Sequence, residues 1–122
     1  MEGNQYFSQH VKQLVSKVTE EELIKRSKEC QFILDNLTTN EVWKIVLNDC
    51  KKMCRHLDNN WQEQFDEKQL LAMRSLKFAY DHIFNLPNKY KEEFKYVVEE
   101  LRKRESPEVI DKDYDTETIF EE

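Results

Sequence analysis

Glycine is almost missing from this 122-residue chain, which has one, Gly3, and only two prolines. A fold of many short strands needs turn residues that tolerate positive φ or preset a bend, so the scarcity argues against sheets and for helices. It also leaves nothing from which to build a Gly-rich phosphate loop. No G-x-S-x-G elbow, H-E-x-x-H pair or EF-hand loop occurs either, and a non-enzymatic protein is expected. No apolar run reaches the roughly 18 residues of a membrane-spanning helix. The opening MEGNQYFSQH has neither the basic start nor the apolar stretch of a secretion signal. A cytoplasmic location and no membrane partner are therefore expected. The three cysteines are odd in number and too few for a disulfide scaffold, which fits free thiols in a reducing compartment.

What the chain does have is charge, at 36% of residues, and enough length for one domain with a contiguous core. The net charge of −6 is unevenly placed. Residues 105–122 carry Glu105, Glu108, Asp111, Asp113, Asp115, Glu117, Glu121 and Glu122 against the single base Lys112. Residues 1–104 are left close to neutral, so body and tail are separate electrostatic problems. The organisation predicted is a helical bundle domain over residues 1–104 and an acidic tail over 105–122.

Apolar or small residues recur along the body in five stripes at alternating steps of four and three, the spacing of helices packed in a bundle. The first is Phe7, Val11, Leu14 and Val18. The second is Leu23, Ser27, Cys30, Leu34 and Leu37, preceded by Thr19 with Glu22 as a capping box. The third and most regular is Trp43, Leu47, Cys50, Cys54, Leu57 and Trp61, with Thr38 and Glu41 as a second box. The fourth, Ala72, Leu76, Ala79, Ile83 and Leu86, follows a cap at Asp66 with Gln69. This segment also carries Leu71 and Phe78 on nearly the opposite side, with His82 beside them. A helix apolar on two faces lies centrally or offers the second face to another chain, and the central place is the expectation. Pro87 should end it, with Asn88 capping the last stripe of Tyr90, Phe94, Val97 and Leu101. Short connections favour antiparallel neighbours. The fold class is all-α: an up-and-down bundle of four to five helices with an acidic, flexible C-terminal tail, because so charged a segment buries too little to order itself.

Few residues suggest chemistry. Cys50 and Cys54 lie four apart and with Cys30 and a histidine could in principle bind zinc. All three cysteines, however, fall on the stripes, where a thiol acts as a small buried hydrophobe, and there is no C-x₂-C knuckle. No metal and no cofactor is expected. His82 has no placed carboxylate or nucleophile beside it by spacing, and no catalytic residue is assigned.

Binding is the better prospect. Lys44, Lys51, Lys52 and Arg55 share the outward side of the third stripe, with Asn48 and Asn59 between them, as nucleic-acid phosphates would require. Asp49 and Asp58 dilute that field, and a solvated face is the plainer reading. In the tail, Ile110, Tyr114, Ile119 and Phe120 interrupt an acidic run that includes Asp113 and Asp115. Acidic segments with spaced apolar anchors dock on basic, apolar-lined grooves, of a partner or of the chain's own body. The leading expectation is an adaptor, assembly or inhibitor protein with the tail as docking segment and Leu71, Phe78 and His82 as a partner or oligomer face. The alternative is a nucleic-acid-binding accessory protein whose basic face the tail modulates. The Lys/Glu/Asn-rich, glycine-poor composition is similar to that of many small accessory proteins of bacteriophages, a likeness that assigns no residues.

Overall fold

The computed structural model of the chain describes residues 9, 12–60, 66–109 and 112–120. Four long helices follow one another: α1 (Glu20–Thr39), α2 (Glu41–Asn60), α3 (Glu67–Phe84) and α4 (Leu86–Lys103). Residues 12–15 are helical ahead of them, and Glu117–Ile119 form a single 3₁₀ turn. The protein is an all-α helical bundle, with no strand among the described residues. Phe7, Val11 and Trp61, read as stripe positions, lie outside the described residues.

Two antiparallel helix pairs make up the body. In the first, α1 buries all five positions of its stripe, Leu23, Ser27, Cys30, Leu34 and Leu37. Leu23 meets Val97 and Leu101 of α4, and Cys30 and Leu34 meet Phe94 and Val98. The one hydroxyl on that stripe is satisfied locally, Ser27 Oγ donating to the Ile24 carbonyl at 2.7 Å, as a buried polar group must be. At the edge, Arg26 forks onto Glu93, with Nη2 to Oε1 at 2.8 Å, and that hydrogen bond holds the guanidinium more firmly in its charged form. Val15, one residue beyond the expected Leu14, joins this core while Leu14 stays exposed.

The start of α1 is separated from residues 12–15 by a break at 16–19. Thr19 Oγ1 accepts from the Glu22 amide at 3.2 Å, and Glu20, Glu21 and Glu22 crowd the positive end of the helix. Arg104 closes the break from the far end of the chain, donating from Nη1 to the Val18 carbonyl at 2.7 Å and from Nε to Glu100 at 3.0 Å.

The second pair is α2 with α3. Helix α2 turns the middle of its predicted stripe inward, burying Leu47, Cys50 and Cys54 and half-covering Leu57, while Trp43, in its first turn, is exposed. Helix α3 opens on a full capping box, Asp66 accepting from the Gln69 amide at 2.8 Å and Gln69 Oε1 from the Asp66 amide at 3.1 Å. It does not lie centrally as expected. None of its residues is buried, and Ala72, Leu76 and Ala79 of the predicted stripe are exposed. The partly covered edge is Leu70, Met73, Tyr80, Ile83 and Phe84. Lys77, on the same edge, pairs with Asp58 of α2.

Single residues join the pairs at two corners. Asn40 links α1 to α2 and itself caps α2, Oδ1 accepting from the Val42 amide at 2.9 Å. It takes the place of the expected Thr38–Glu41 box, because Thr38 Oγ1 points back along α1 to the Leu34 carbonyl at 2.7 Å. Asn85 links α3 to α4. Pro87 lies inside the first turn of α4 and does not stop α3, since a helix start leaves unused the N–H that proline lacks. Asn88 is therefore a helical residue, not the cap.

Helix α4 ends in a Schellman turn. Ser106 donates to the Leu101 carbonyl and Glu105 to that of Arg102, both at 3.0 Å. Glu105 sits at φ 56°, the left-handed position that glycine usually fills.

Candidate interaction surfaces

Helix α3 is turned inside out. Lys77 reaches α2, while the outward side from Leu71 to Ala79 carries Leu71, Ala72, Ser75, Leu76, Phe78 and Ala79, with Arg74 exposed at its edge. Leu71 is 66% and Phe78 76% exposed. On α2, Val42 and Ile45 are 67% and 60% exposed, and Val46 and Met53 are partly so. Scattered apolar residues are ordinary on a surface, but a leucine and a phenylalanine one heptad apart on an exposed helix side whose one charge, Arg74, lies at its edge are not. The structure thus puts Leu71, Phe78 and His82 together on one exposed stripe. His82 also meets α4, its Nδ1 lying against Lys89 Nζ across the Asn85 corner.

The tail residues that the structure describes are packed, contrary to the free segment expected for 105–122. Tyr114 is buried beside Cys30, Leu34 and Phe94, its ring meeting Phe94 edge to face at 5.8 Å, and its hydroxyl donates to the Gln31 carbonyl at 3.4 Å. Thr116 Oγ1 and Asn88 Oδ1 are 2.6 Å apart, the threonine donating. Ile119 has no exposed surface at all and packs with Leu37 and Leu47. Two ion pairs hold the outer edge: Lys112 to Asp35 at 2.8 Å and Lys91 to Asp113 at 3.9 Å. The Lys112 contact draws the Asp35 carboxyl below its ordinary range. Of the six tail residues read as partner anchors, Tyr114 and Ile119 are therefore engaged by the bundle itself, and Asp113 pairs with Lys91. Asp115 Oδ1 accepts from the Glu117 amide at 3.1 Å, opening the 3₁₀ turn. Ile110 lies outside the described residues.

Phe120 ends the described tail at the basic side of α2. Its ring stands edge to face with Phe84 at 5.9 Å, and Lys51 Nζ lies 5.1 Å from its centre, within range of a cation–π attraction. Asn48 Nδ2 donates to the Ile119 carbonyl at 2.8 Å. Lys44 pairs with Glu41 at 3.9 Å, and Lys52 and Arg55 are exposed. The four predicted phosphate contacts do share a side of α2, and the tail is laid against it. Spacing could have pointed to this, since Ile119-Phe120 is the one adjacent aliphatic–aromatic pair in the acidic run.

The cysteines are free and buried. Burial, with Glu93 nearby, pushes the Cys30 thiol up to about 12, and burial also raises Cys50 and Cys54. Among the described residues no group of three or more His, Cys, Asp or Glu could hold a metal ion. No helix of the described residues is long and apolar enough to cross a membrane. A hollow of about 680 Å³ runs between α4 and the tail over Phe94, Val98 and Tyr114, and its lining mixes Lys95 and Arg102 with Glu92 and Glu99. No protein family, curated protein or solved structure matches this chain.

Proposed function

We propose that this is a non-enzymatic protein-interaction module, an adaptor, assembly or inhibitor protein, that binds another protein surface through the outward face of α3. The observation that carries the reading is the exposure of Leu71 and Phe78 on a helix with no buried residue of its own. A helix whose apolar half faces water gains most by covering that half. Aromatic side chains of this kind are common anchors at interfaces. The bundle does not need Phe78 for its core, so the residue's place on the surface is better explained by a contact than by folding.

The test is sedimentation velocity of the full chain over a concentration series, with capture from nuclease-treated lysate, for wild type, Phe78→Asp and Leu71→Asp. Loss of self-association or of a captured protein in the variants, at unchanged helicity, supports the proposal. Association that ignores both substitutions refutes it. A nucleic-acid role would rest on Lys44, Lys51, Lys52 and Arg55. Its mark would be capture that nuclease abolishes and that weakens steeply with salt.

A further inference from the structure

The segment Thr116–Phe120 occupies a slot with the features of a peptide-binding site. Its floor is Leu37 and Leu47, one on each side of the Asn40 corner; Ile83 and Tyr90 flank the Asn85 corner and pack against the same cluster. Ile119 plugs the space between the two corners with no exposed surface. The walls are held by contacts that do not involve the tail. Asn40 caps α2 through the Val42 amide, and Asn85 donates from Nδ2 to the Asp81 carbonyl at 2.9 Å. One rim supplies Lys51 to an aromatic ring, and Asn48 donates to the backbone carbonyl of Ile119 at the end of the 3₁₀ turn.

The tail is anchored by the buried Tyr114, Thr116 and Ile119, and beyond these its ion pairs lie at the surface. Lys112 and Asp35 are each about half exposed, at 48% and 45%, and Asp113, which meets Lys91, is almost wholly so. Exposed ion pairs of this kind hold weakly and are screened by salt.

We propose that this slot is a binding site for an acidic linear peptide carrying an adjacent aliphatic–aromatic pair, and that residues 112–120 are its intramolecular occupant, displaced when such a peptide binds. The charge of the ligand follows from the acidic segment that already occupies the slot and from Lys44, Lys51 and Lys52 on the bordering side of α2, where Glu41 and Asp49 also lie, and the apolar pair from the Leu37–Leu47 floor and the Phe84 ring. A tethered segment competes at an effective concentration on the order of millimolar. The resting protein is thereby closed to weak ligands and open to stronger ones. This site is separate from the outward face of α3 and does not depend on the function proposed for it.

Fluorescence anisotropy tests it, with a labelled synthetic peptide of residues 112–122 as probe and the full chain as receptor. In the Ile119→Asp, Phe120→Ala double variant the slot loses its two apolar plugs. The probe should then bind at least ten-fold more tightly than to wild type, and adding Lys51→Glu should take back several-fold of that gain. Should the double variant lose helicity by circular dichroism, the full chain with Lys112→Ala and Thr116→Val decides instead. Those changes cut the tethers to Asp35 and Asn88 but leave the slot and Ile119 in place, and at least three-fold tightening is expected. A folded variant that binds no more tightly than wild type overturns the proposal. So does equal binding of a scrambled peptide of the same composition, which would reduce the effect to bulk charge.

Discussion

The two helix pairs have the same lengths, yet apart from Phe32, 72% exposed on α1, they treat their apolar residues in opposite ways. Between α1 and α4 every stripe residue from Leu23 to Leu37 is covered, and the polar edge is fixed by Arg26 with Glu93. Between α2 and α3 only α2 contributes buried side chains, and α3 turns Leu71, Leu76 and Phe78 outward. The first pair carries stability. The second is held by one covered edge, the Asp58–Lys77 contact and a cap, and its surplus apolar surface is free to meet something else.

The sharpest way to break this contrast is to compare Leu34→Ala with Phe78→Ala by urea unfolding. Leu34 is fully buried, and its truncation should cost about 2–5 kcal/mol. Phe78→Ala should stay within about 0.5 kcal/mol, as surface changes do. Equal losses would mean that α3 belongs to the core after all.

Alkaline pH acts on the buried thiols of both pairs, and comparison with Cys30→Ala isolates the first. Cys30 keeps its proton in the folded protein up to about 12, whereas an unfolded thiol loses it near an ordinary value of about 8.5. The unfolded chain therefore binds fewer protons between these values. The Cys30 contribution is whole below the unfolded value and is lost as pH rises from there to about 12. Unfolding free energy should fall with pH over that window more steeply in wild type than in Cys30→Ala.

Smaller effects separate the two pairs locally. Asp66→Ala removes the capping box of α3 and should cost about 1 kcal/mol, seen as faster amide hydrogen exchange in α3 and not in α1. Glu105→Gly relieves a side chain at φ 56°, and the melt should shift toward greater stability by up to about 1 kcal/mol. A destabilised Glu105→Gly would show that the side chain makes a contact outweighing its backbone cost.

Much of the first pair was legible in the stripes, because alternating steps of four and three coincide with burial when both faces of a contact lie in the same chain. Leu23 to Leu37 and Phe94 to Leu101 are read correctly for that reason, as are Leu47, Cys50 and Cys54. Helix α3 was misread for the converse reason. Spacing reports which residues share a face, not whether anything covers it, and the stripe Ala72, Leu76, Ala79 is more regular than the edge that meets α2. Pro87 carried a usable signal that pointed the other way, as proline marks helix starts as well as stops. The tail's anchors were visible as Tyr114, Ile119 and Phe120, but their receptor was not. Leu37 and Leu47 lie on either side of one corner and Phe84 beside the other, and they come to one tail segment only once both corners are folded.

The pairing of α1 with α4 also fixes an order of events during synthesis. A chain made from its N-terminus exposes α1 long before α4 exists, and proteins are elongated at about 5–20 residues per second. Through that interval Leu23, Cys30 and Leu34 have no partner, while α2 and α3, neighbours in sequence, can already close on each other. The least buried pair is thus the first able to form and the most buried the last. The leucines of α1 stay uncovered for the several seconds that separate them from Phe94 and Leu101, and Ile119 arrives later still to plug the corner. A nascent-chain chaperone would meet this protein at α1.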